Sequence, residues 1–575
     1  MLRRCLAFAV SLVALGGSPS IAAQPSRPNV LFIVIDNVDY QYFGKCYGGT
    51  GLTPEIDRIA ERGVTFTRAY AVTPLCVPSR YTCLTGRYAS RYRGSDSAED
   101  REVDSEEEAG GRLTLESHLP NLPKVMQGAG YKTGFVGKYH LENETLLPKF
   151  GGAGTSVFEP AADAWLKQRN ALLARRIQAH GFDYVFNALD FRNSQFKGID
   201  FGNAHHNMEA ETLGALNFID ENHDRPFFLY FSTHLLHLPI DPKLLTQDYE
   251  KYGRVTEGGL LDQAPQVPMK SRRRIYDDAA AAAGGRPSAQ QAGMHWLDCG
   301  VGAVIRRLEE RRLLDDTLVI LFSDNNQRGK ETLYEGGARV PLLMMWPKRL
   351  PAGSRCERIV ANVDFAPTIF AACGVTPPHD MILDGRSMLP ILADPHAPWR
   401  DGLLLENGHT KAVVTDRWKY VALRYPADVR ARIDEVDRTG RYPTLSRKAE
   451  IFFDKFRSTL TPEQWKFARN SWRWHTPGNN YMKSIDDFPF QFDADQLFVV
   501  DQLFVVEPGF KPQDARNVAA DPANAAVLAE MKQKLARVLA PLDTPFGEFK
   551  TIAARDDGGR PTTVRKKKNK KQARR

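Results

Sequence analysis

Four runs of apolar residues in the first part of the chain predict buried β-strands. They cover residues 30–35, 133–136, 227–231 and 318–322, and β-branched and aromatic residues are frequent in them. The runs are continuous rather than alternating, which is typical of strands buried on both faces of a parallel sheet. Polar residues follow each run within a few positions, so polar side chains are expected at the strand ends.

Segments with helical periodicity lie between these runs. Residues 294–313 show it clearly, because apolar side chains recur on one helical face at Leu297, Val301, Val304, Ile305 and Leu308. Strands that alternate with helices predict an α/β fold, with a large mixed, mostly parallel sheet covered by helices on both faces. In such folds, ligands bind beyond the carboxyl ends of the strands.

The pattern changes near residue 399 and predicts two domains. The first covers residues 24–399, and the second is a smaller α+β domain over residues 400–564, in which residues 411–420 and 496–506 have strand character. Residues 425–490 are rich in aromatic side chains and predict a helical insertion. With 575 residues, 42% of them hydrophobic, the chain is long enough to bury two cores.

The two ends of the chain differ from the rest. Residues 1–23 combine two arginines, an apolar run and a small-residue segment, which is the pattern of a secretory signal peptide. We therefore expect an exported protein, periplasmic or secreted. No later segment is long and apolar enough to anchor it in a membrane.

The net charge of +8 equals the charge of the eight Lys and Arg residues in the tail, residues 565–575. The rest of the chain is therefore neutral. The tail either attracts an anionic polymer or serves as a solubilising end. Because the protein is expected to be exported, nucleic acid is the poorer choice of partner.

The seven cysteines show no C-x-x-C or zinc-type spacing, which argues against a thiolate metal cluster. Cys5 lies in the signal segment. An oxidising compartment permits disulfides among the others, with the pairing left open: Cys46, Cys83, Cys299, Cys356 and Cys373.

Cys76 opens the segment Cys76-Val77-Pro78-Ser79-Arg80. Proline at the first helical position and the serine beside it favour a helix that begins here. A helix start attracts anions because backbone N–H groups point outward from it. A thiol and an arginine at such a position predict a catalytic residue that faces an anionic substrate.

Two pairs of carboxylate and amide residues follow predicted strands, Asp36-Asn37 after residues 30–35 and Asp324-Asn325 after residues 318–322. Both pairs are expected at the same edge of the sheet. Their hard oxygen ligands suit calcium or magnesium better than zinc or copper. Either pair alone is equally typical of a turn or a helix cap.

Basic residues follow the other strands. Lys138 and His140 alternate, so an extended segment would direct both side chains to one side, where they can hold an anionic oxygen and shuttle a proton. His237 follows residues 227–231. For His234, a structural hydrogen-bonding role is the better interpretation. Lys330 lies in a predicted loop, where a lone lysine has no specific meaning.

In their order along the chain, these motifs resemble those of type I, formylglycine-dependent sulfatases of the alkaline phosphatase-like superfamily. The matching segments are C-x-P-S-R from Cys76, G-K-x-H-L from Gly137, a histidine before x-Pro at His237, and Gly329-Lys330. The resemblance covers nearly the whole mature chain, and it departs at Asn37, where the family usually has a second aspartate. The predicted metal site therefore has one negative charge fewer.

The resemblance implies that a formylglycine-generating enzyme oxidises Cys76 to an aldehyde. The hydrate of that aldehyde would attack the sulfur of a sulfate ester with one hydroxyl. It also implies a site for calcium, with magnesium or another divalent cation as the alternative. The implied ligands are residue 76 together with Asp36, Asn37, Asp324 and Asn325.

By the same resemblance, Arg80, Lys138 and Lys330 would surround the sulfate group. His237 would protonate the leaving group, and His140 would take the proton of the second hydroxyl so that sulfate is expelled. The expected function is hydrolysis of sulfate esters, from a sulfated small molecule or polysaccharide and most reasonably of sulfated carbohydrate. The alternatives are a phosphatase or phosphonate monoester hydrolase of the same superfamily, and a non-catalytic protein that binds sulfated glycans.

Overall fold

The structure is a computed structural model, and part of the chain is described by it. The described residues are 27–92, 113–142, 150–151, 154–189, 198–202, 204, 206–237, 240–327, 329–330, 332–407, 410–423, 439, 501–506 and 517–542. The predicted signal segment 1–23, nearly all of the insertion 425–490 and the tail 565–575 lie outside them. Those assignments stay predictions, as do the domain boundaries.

The β-strands of the described residues are numbered in chain order. They are β1 Asn29–Ile35, β2 Val64–Phe66, β3 Ala69–Tyr70, β4 Lys132–Lys138, β5 Thr155–Ser156, β6 Tyr184–Leu189, β7 Ile199–Asp200, β8 Phe227–Ser232, β9 Val255–Thr256, β10 Gly259–Leu260, β11 Thr317–Ser323, β12 Leu342–Met345, β13 Ser354–Cys356, β14 Val360–Ala361, β15 Leu403–Asn407, β16 Thr410–Val414, β17 Trp418–Leu423 and β18 Asp501–Val505.

The α-helices of the same residues are numbered likewise. They are α1 Pro54–Glu61, α2 Cys76–Thr85, α3 Leu122–Gly128, α4 Pro160–Ala179, α5 Met208–Glu221, α6 Tyr249–Tyr252, α7 Arg272–Ala283, α8 Ala289–Glu310, α9 Glu335–Ala338, α10 Phe365–Cys373, α11 Leu389–Ala393 and α12 Ala525–Leu539. None of the helices in this part of the chain is long and apolar enough to cross a membrane.

The central sheet has eight strands in the order β13-β2-β12-β11-β1-β8-β4-β6. β1 pairs in parallel with β11 and β8, and β4 pairs in parallel with β8 and β6. β12 runs antiparallel to both of its neighbours. The predicted mixed, mostly parallel sheet is therefore confirmed, and the carboxyl ends of β1, β4, β8 and β11 lie side by side at one edge.

Both faces of the central sheet are covered by apolar layers. Leu31, Ile33 and Ile35 of β1 pack into the layer that includes side chains of α1, α5 and α8. The alternate residues, Val30 and Phe32 among them, pack into the layer with side chains of α2 and α10. Because β1 is buried on both faces, every position from Val30 to Ile35 is apolar, which explains the continuous hydrophobic run.

The C-terminal part forms a smaller antiparallel sheet in the order β15-β16-β17-β18, against which α12 packs. Residues 411–420, predicted to have strand character, are divided between β16 and β17. A turn separates the two strands, in which the backbone N–H of Trp418 donates to Thr415 Oγ1 at 3.0 Å. The predicted smaller α+β domain is thus present.

The six cysteines of the described residues are buried free thiols. The disulfides that an oxidising compartment would permit among Cys46, Cys83, Cys299, Cys356 and Cys373 are therefore not formed in this structure.

Candidate active site

Four parallel strands deliver polar residues to one edge of the sheet. Asp36 directly follows β1, Asp324 directly follows β11, and Lys138 is the last residue of β4. His234 and His237 come just after β8. All five side chains are buried. The edge to which the sequence assigned the functional residues therefore contains an enclosed polar cluster.

Cys76 is the first residue of α2, at the same edge, with an exposed fraction of 3%. Its Sγ lies 2.9 Å from Lys330 Nζ and 3.6 Å from Asp36 Oδ1. Burial, and then the charge of Asp36, raise the pKa of this thiol. Pro78 is the third residue of α2 and not the first, as the sequence suggested, because Leu75 is the N-cap.

Asn37 points its side chain into this cluster. Its Oδ1 accepts a hydrogen bond from Lys330 Nζ at 2.8 Å and lies 3.7 Å from Cys76 Sγ. The backbone N–H of Asn37 donates to Asp324 Oδ1 at 3.1 Å, which joins the ends of β1 and β11. The residue has φ +56°, a left-handed conformation that asparagine and aspartate adopt more readily than most residues.

Arg80, one turn into α2, is completely buried. Its Nε donates to Asp324 Oδ2 at 3.0 Å, and its Nη2 forms ion pairs with the same oxygen at 2.9 Å and with Asp36 Oδ2 at 3.5 Å. Its Nη1 donates to the backbone carbonyl of Lys138 at 3.2 Å and to Ser232 Oγ. A single guanidinium group therefore contacts groups at the ends of β1, β4, β8 and β11.

Asp36 forms an ion pair with Lys138 Nζ, and both side chains have 0% exposure. Burial raises the pKa of Asp36, but Lys138 and the other nearby cations outweigh it and hold this pKa well below its ordinary value. The pKa of Asp324 is raised, by burial and by the charge of Asp36. Two neighbouring buried carboxylates thus share the cations of the site.

His140 and His237 lie near the same cations. Burial, and then the charges of Lys138 and Arg80, lower the pKa of His140 well below its ordinary value, so the ring is neutral at neutral pH. His140 has φ +59°, and β4 ends at Lys138. The extended conformation assumed for this segment is therefore wrong, although His140 still lies close enough to Lys138 and Arg80 for their charges to lower its pKa.

A second group of buried residues lies behind His237 and was missed by the sequence analysis. The ring of His234 lies between those of His237 and His206, with centroids at 5.9 and 4.5 Å. Glu257 Oε1 is 3.7 Å from His234 Nδ1, and Glu211 Oε1 accepts a hydrogen bond from the backbone N–H of His234 at 3.3 Å. Burial raises the pKa of Glu211 to about 8. His234 therefore stacks against His237, and the structural hydrogen-bonding role expected for it stays a prediction.

The cluster fits a divalent cation. One ligand atom each from Asp36, Cys76 and Asp324 lie within 4.8 Å of one another. Asn325 Oδ1 is buried without a hydrogen-bond partner, while its Nδ2 donates to Asp324 Oδ1 at 2.8 Å. A buried amide oxygen without a hydrogen-bond partner is available to bind a cation. Together with the two carboxylates it provides the oxygen ligands that calcium or magnesium prefers.

This fold resembles those of many solved structures, two of which illustrate its range. One, from the glycosaminoglycan metabolism of Bacteroides thetaiotaomicron, has a TM-score of 0.55 at 20% identity and covers 89% of this chain and 99% of that one. A phosphonate monoester hydrolase from Silicibacter pomeroyi has a TM-score of 0.50 at 17% identity, covering 90% and 96%. These likenesses establish the class of fold: a mixed, mostly parallel sheet covered by helices, which this chain shares with both proteins.

The particular family follows from the sequence comparison. The sulfatase family model matches residues 28–375, and a model of the C-terminal region of N-sulphoglucosamine sulphohydrolase matches residues 327–434. The chain belongs to the sulfatase family and is a sulfuric ester hydrolase.

Three relatives of this chain are sulfatases named for different sulfated compounds. The N-acetylgalactosamine-6-sulfatase of Canis lupus familiaris is 27% identical over 396 residues, which are 64% of this chain and 67% of that protein. The N-acetylglucosamine-6-O-sulfatase of Bacteroides thetaiotaomicron is 26% identical over 454 residues, 66% and 73% of the two chains. A human steryl-sulfatase is 24% identical over 445 residues, 64% and 70%.

Proposed function

We propose that this chain is an exported sulfatase that hydrolyses sulfate esters of carbohydrates, using a formylglycine made from Cys76 and a divalent cation, with calcium as the first candidate. The observation that carries the proposal is the position of Cys76. Its Sγ lies within 4 Å of Lys330 Nζ, Asp36 Oδ1 and Asn37 Oδ1 in a buried cluster. A group attached to residue 76 would therefore be surrounded by cations and by oxygen ligands.

The aldehyde and the cation supply chemistry that the twenty standard side chains lack. A hydrated aldehyde has two hydroxyl groups, so that one can attack sulfur and the other can drive release of sulfate. A dication lowers the pKa of a nearby hydroxyl and offsets negative charge. The residues that would hold the dication beside residue 76 are Asp36, Asp324, Asn37 and Asn325.

Three cations of the chain bind and orient the sulfate group in this proposal. Lys138, Lys330 and Arg80 approach the cluster from β4, from the loop after β11 and from α2. Fixed positive charges in a buried site stabilise the charge that develops on sulfate oxygens in the transition state, and they need no reorganisation during the reaction. Arg80 also offers a planar set of N–H donors, which suits a tetrahedral anion.

The two histidines move protons. His237 protonates the leaving oxygen. His140, whose lowered pKa keeps the ring neutral, accepts a proton from residue 76 as sulfate leaves. The contacts of His234 with His237 and Glu257 support a fixed orientation of the acid.

Sulfated carbohydrate is the substrate class that most of the named relatives support. Two of the three relatives above are named as sulfatases of amino sugars. A protein at 19% identity and TM-score 0.51 was solved with its substrate D-glucosamine-2-N,6-O-disulfate. Export is proposed from the signal-peptide pattern of residues 1–23.

The test begins with the protein from a host that has a formylglycine-generating enzyme. Mass spectrometry of the peptide that contains residue 76 should show the thiol sulfur replaced by a carbonyl oxygen. The modified protein is then assayed on matched panels of sulfated saccharides, steryl sulfate and phosphate esters. Preference for the saccharides supports the proposal. Preference for steryl sulfate or phosphate esters, or full activity with an unmodified Cys76, contradicts it.

A further inference from the structure

Lys419 of the small sheet is buried against the large domain. It lies on β17, has an exposed fraction of 1%, and its Nζ donates to Glu335 Oε1 at 3.0 Å. Glu335 is 5% exposed and also accepts hydrogen bonds from Tyr70 Oη at 3.1 and 3.2 Å. The two charges depend on each other, because Lys419 would lose this ion pair without Glu335, and Glu335 would keep only the longer ion pair with Arg339 at 3.8 Å.

Glu335 is the first residue of α9, and α9 packs on the turn that carries Lys330. A Cβ atom at Gly337 would collide with the backbone carbonyl oxygens of Gly329 and Thr332, so the helix backbone touches the turn directly. The turn is closed by a hydrogen bond from the Thr332 N–H to the Gly329 carbonyl at 2.9 Å. A displacement of α9 therefore displaces this turn.

We propose that Lys419 is a positioning residue for Lys330. The small sheet fixes Glu335 through Lys419, Glu335 fixes α9, and α9 holds the turn so that Lys330 Nζ stays beside residue 76. The inference rests on the proposed role of Lys330 in binding sulfate. It assigns the small sheet a part in catalysis, although that sheet contains none of the predicted site residues.

The test is a double-mutant cycle in the formylglycine-containing enzyme. The variant Lys419→Met/Glu335→Gln removes both charges together and leaves neither buried alone. We expect it to lower kcat/KM by about tenfold or more, because small misplacements of a binding group are costly. In a Lys330→Ala background, the same two substitutions should change kcat/KM by less than about twofold, since residues acting through one group are not additive.

Lys411→Met is the matched control. Lys411 lies on β16 of the same sheet and forms its ion pair with Glu406 of β15, at 3.4 Å, and not with a residue of α9. The kcat/KM of the Lys411→Met variant should stay within about twofold of wild type, as for most substitutions outside a site. The melting temperature and formylglycine content are measured for every variant, so that loss of folding or of modification is separated from loss of positioning.

An equal loss of kcat/KM with and without Lys330 would overturn the inference, and so would unchanged kcat/KM in the folded double variant. If the double variant does not fold, the apolar pair Lys419→Met/Glu335→Met, which also removes both charges, takes its place in the cycle with the same two expectations. If Lys330→Ala alone leaves kcat/KM unchanged, the proposed role of Lys330 fails, and the inference that rests on it fails too.

Discussion

Replacing Lys330 by methionine should lower catalysis without lowering stability. Lys330 Nζ contacts the amide oxygen of Asn37 at 2.8 Å and the thiol of Cys76 at 2.9 Å. Asp36 keeps its ion pairs with Lys138 and Arg80 in this variant. Methionine also retains most of the apolar volume of the lysine chain, so the site loses one positive charge and little packing.

The magnitude follows from the charge that is lost. A unit charge about 4 Å from a charged oxygen is worth about 4 kcal/mol at an effective dielectric constant of about 20. Removal of one preorganised donor typically lowers kcat by about 10²- to 10³-fold. We therefore expect kcat/KM of Lys330→Met to fall by about 10²- to 10³-fold, with the free energy of unfolding within about 1 kcal/mol of wild type.

Lys138→Met is the informative comparison. It should lower kcat/KM similarly, but it breaks a fully buried ion pair with Asp36, which typically costs about 3–5 kcal/mol of stability. The assay is kcat/KM on a sulfated saccharide together with urea unfolding of both variants at equal formylglycine content. Equal losses of stability in the two variants, or wild-type kcat/KM in Lys330→Met, would refute the reasoning.

Three further predictions concern the nucleophile, the cation and pH. Cys76→Ala should abolish turnover and leave the melting temperature nearly unchanged; an active alanine variant would exclude the proposed mechanism. Chelation should inactivate the enzyme and calcium or magnesium restore it, and Asn37→Asp should raise the chelator concentration needed to lower the melting temperature, because carboxylate charge tightens binding; an unchanged chelator titration would argue against Asn37 as a ligand. Burial lowers the pKa of His180 to about 3, and an unfolded histidine titrates near 6.5, so stability is lost as pH falls below about 6.5, by up to about 1.4 kcal/mol per pH unit. His180→Gln should therefore lose less stability than wild type between pH 7 and 5 in urea unfolding, and an equal or larger loss would contradict this.

The parallel strands and the site edge could be predicted because each strand is a continuous apolar run that ends at a polar motif. Their bounds differ from the predicted ones by one or two residues, since β1 begins at Asn29 and β4 extends to Lys138. The conformation beyond the strand ends was less predictable. His140 departs from the extended form at a point where no apolar pattern constrains the backbone.

The residues that the sequence analysis missed have no motif of their own. Glu211 lies in the first turn of α5, Glu257 in a short hairpin, and His206 just before α5. Their proximity is created by tertiary packing. The acidic residues among the apolar ones at the start of α5 were the one available signal, since buried carboxylates need partners. The ion pair between Lys419 and Glu335 likewise joins two residues that lie far apart in the sequence and that no pattern of spacing connects.

The contacts of Arg80 have a thermodynamic consequence for ligand binding. Its guanidinium group forms ion pairs with Asp324 and Asp36 and donates to Ser232 and a backbone carbonyl, and Lys138 is paired with Asp36. An entering anion must compete with these carboxylates for the same donors, and each donor it takes leaves a carboxylate that attracts a cation more strongly. Anion and dication affinities are therefore positively coupled, and by reciprocity each ligand should strengthen binding of the other by the same factor.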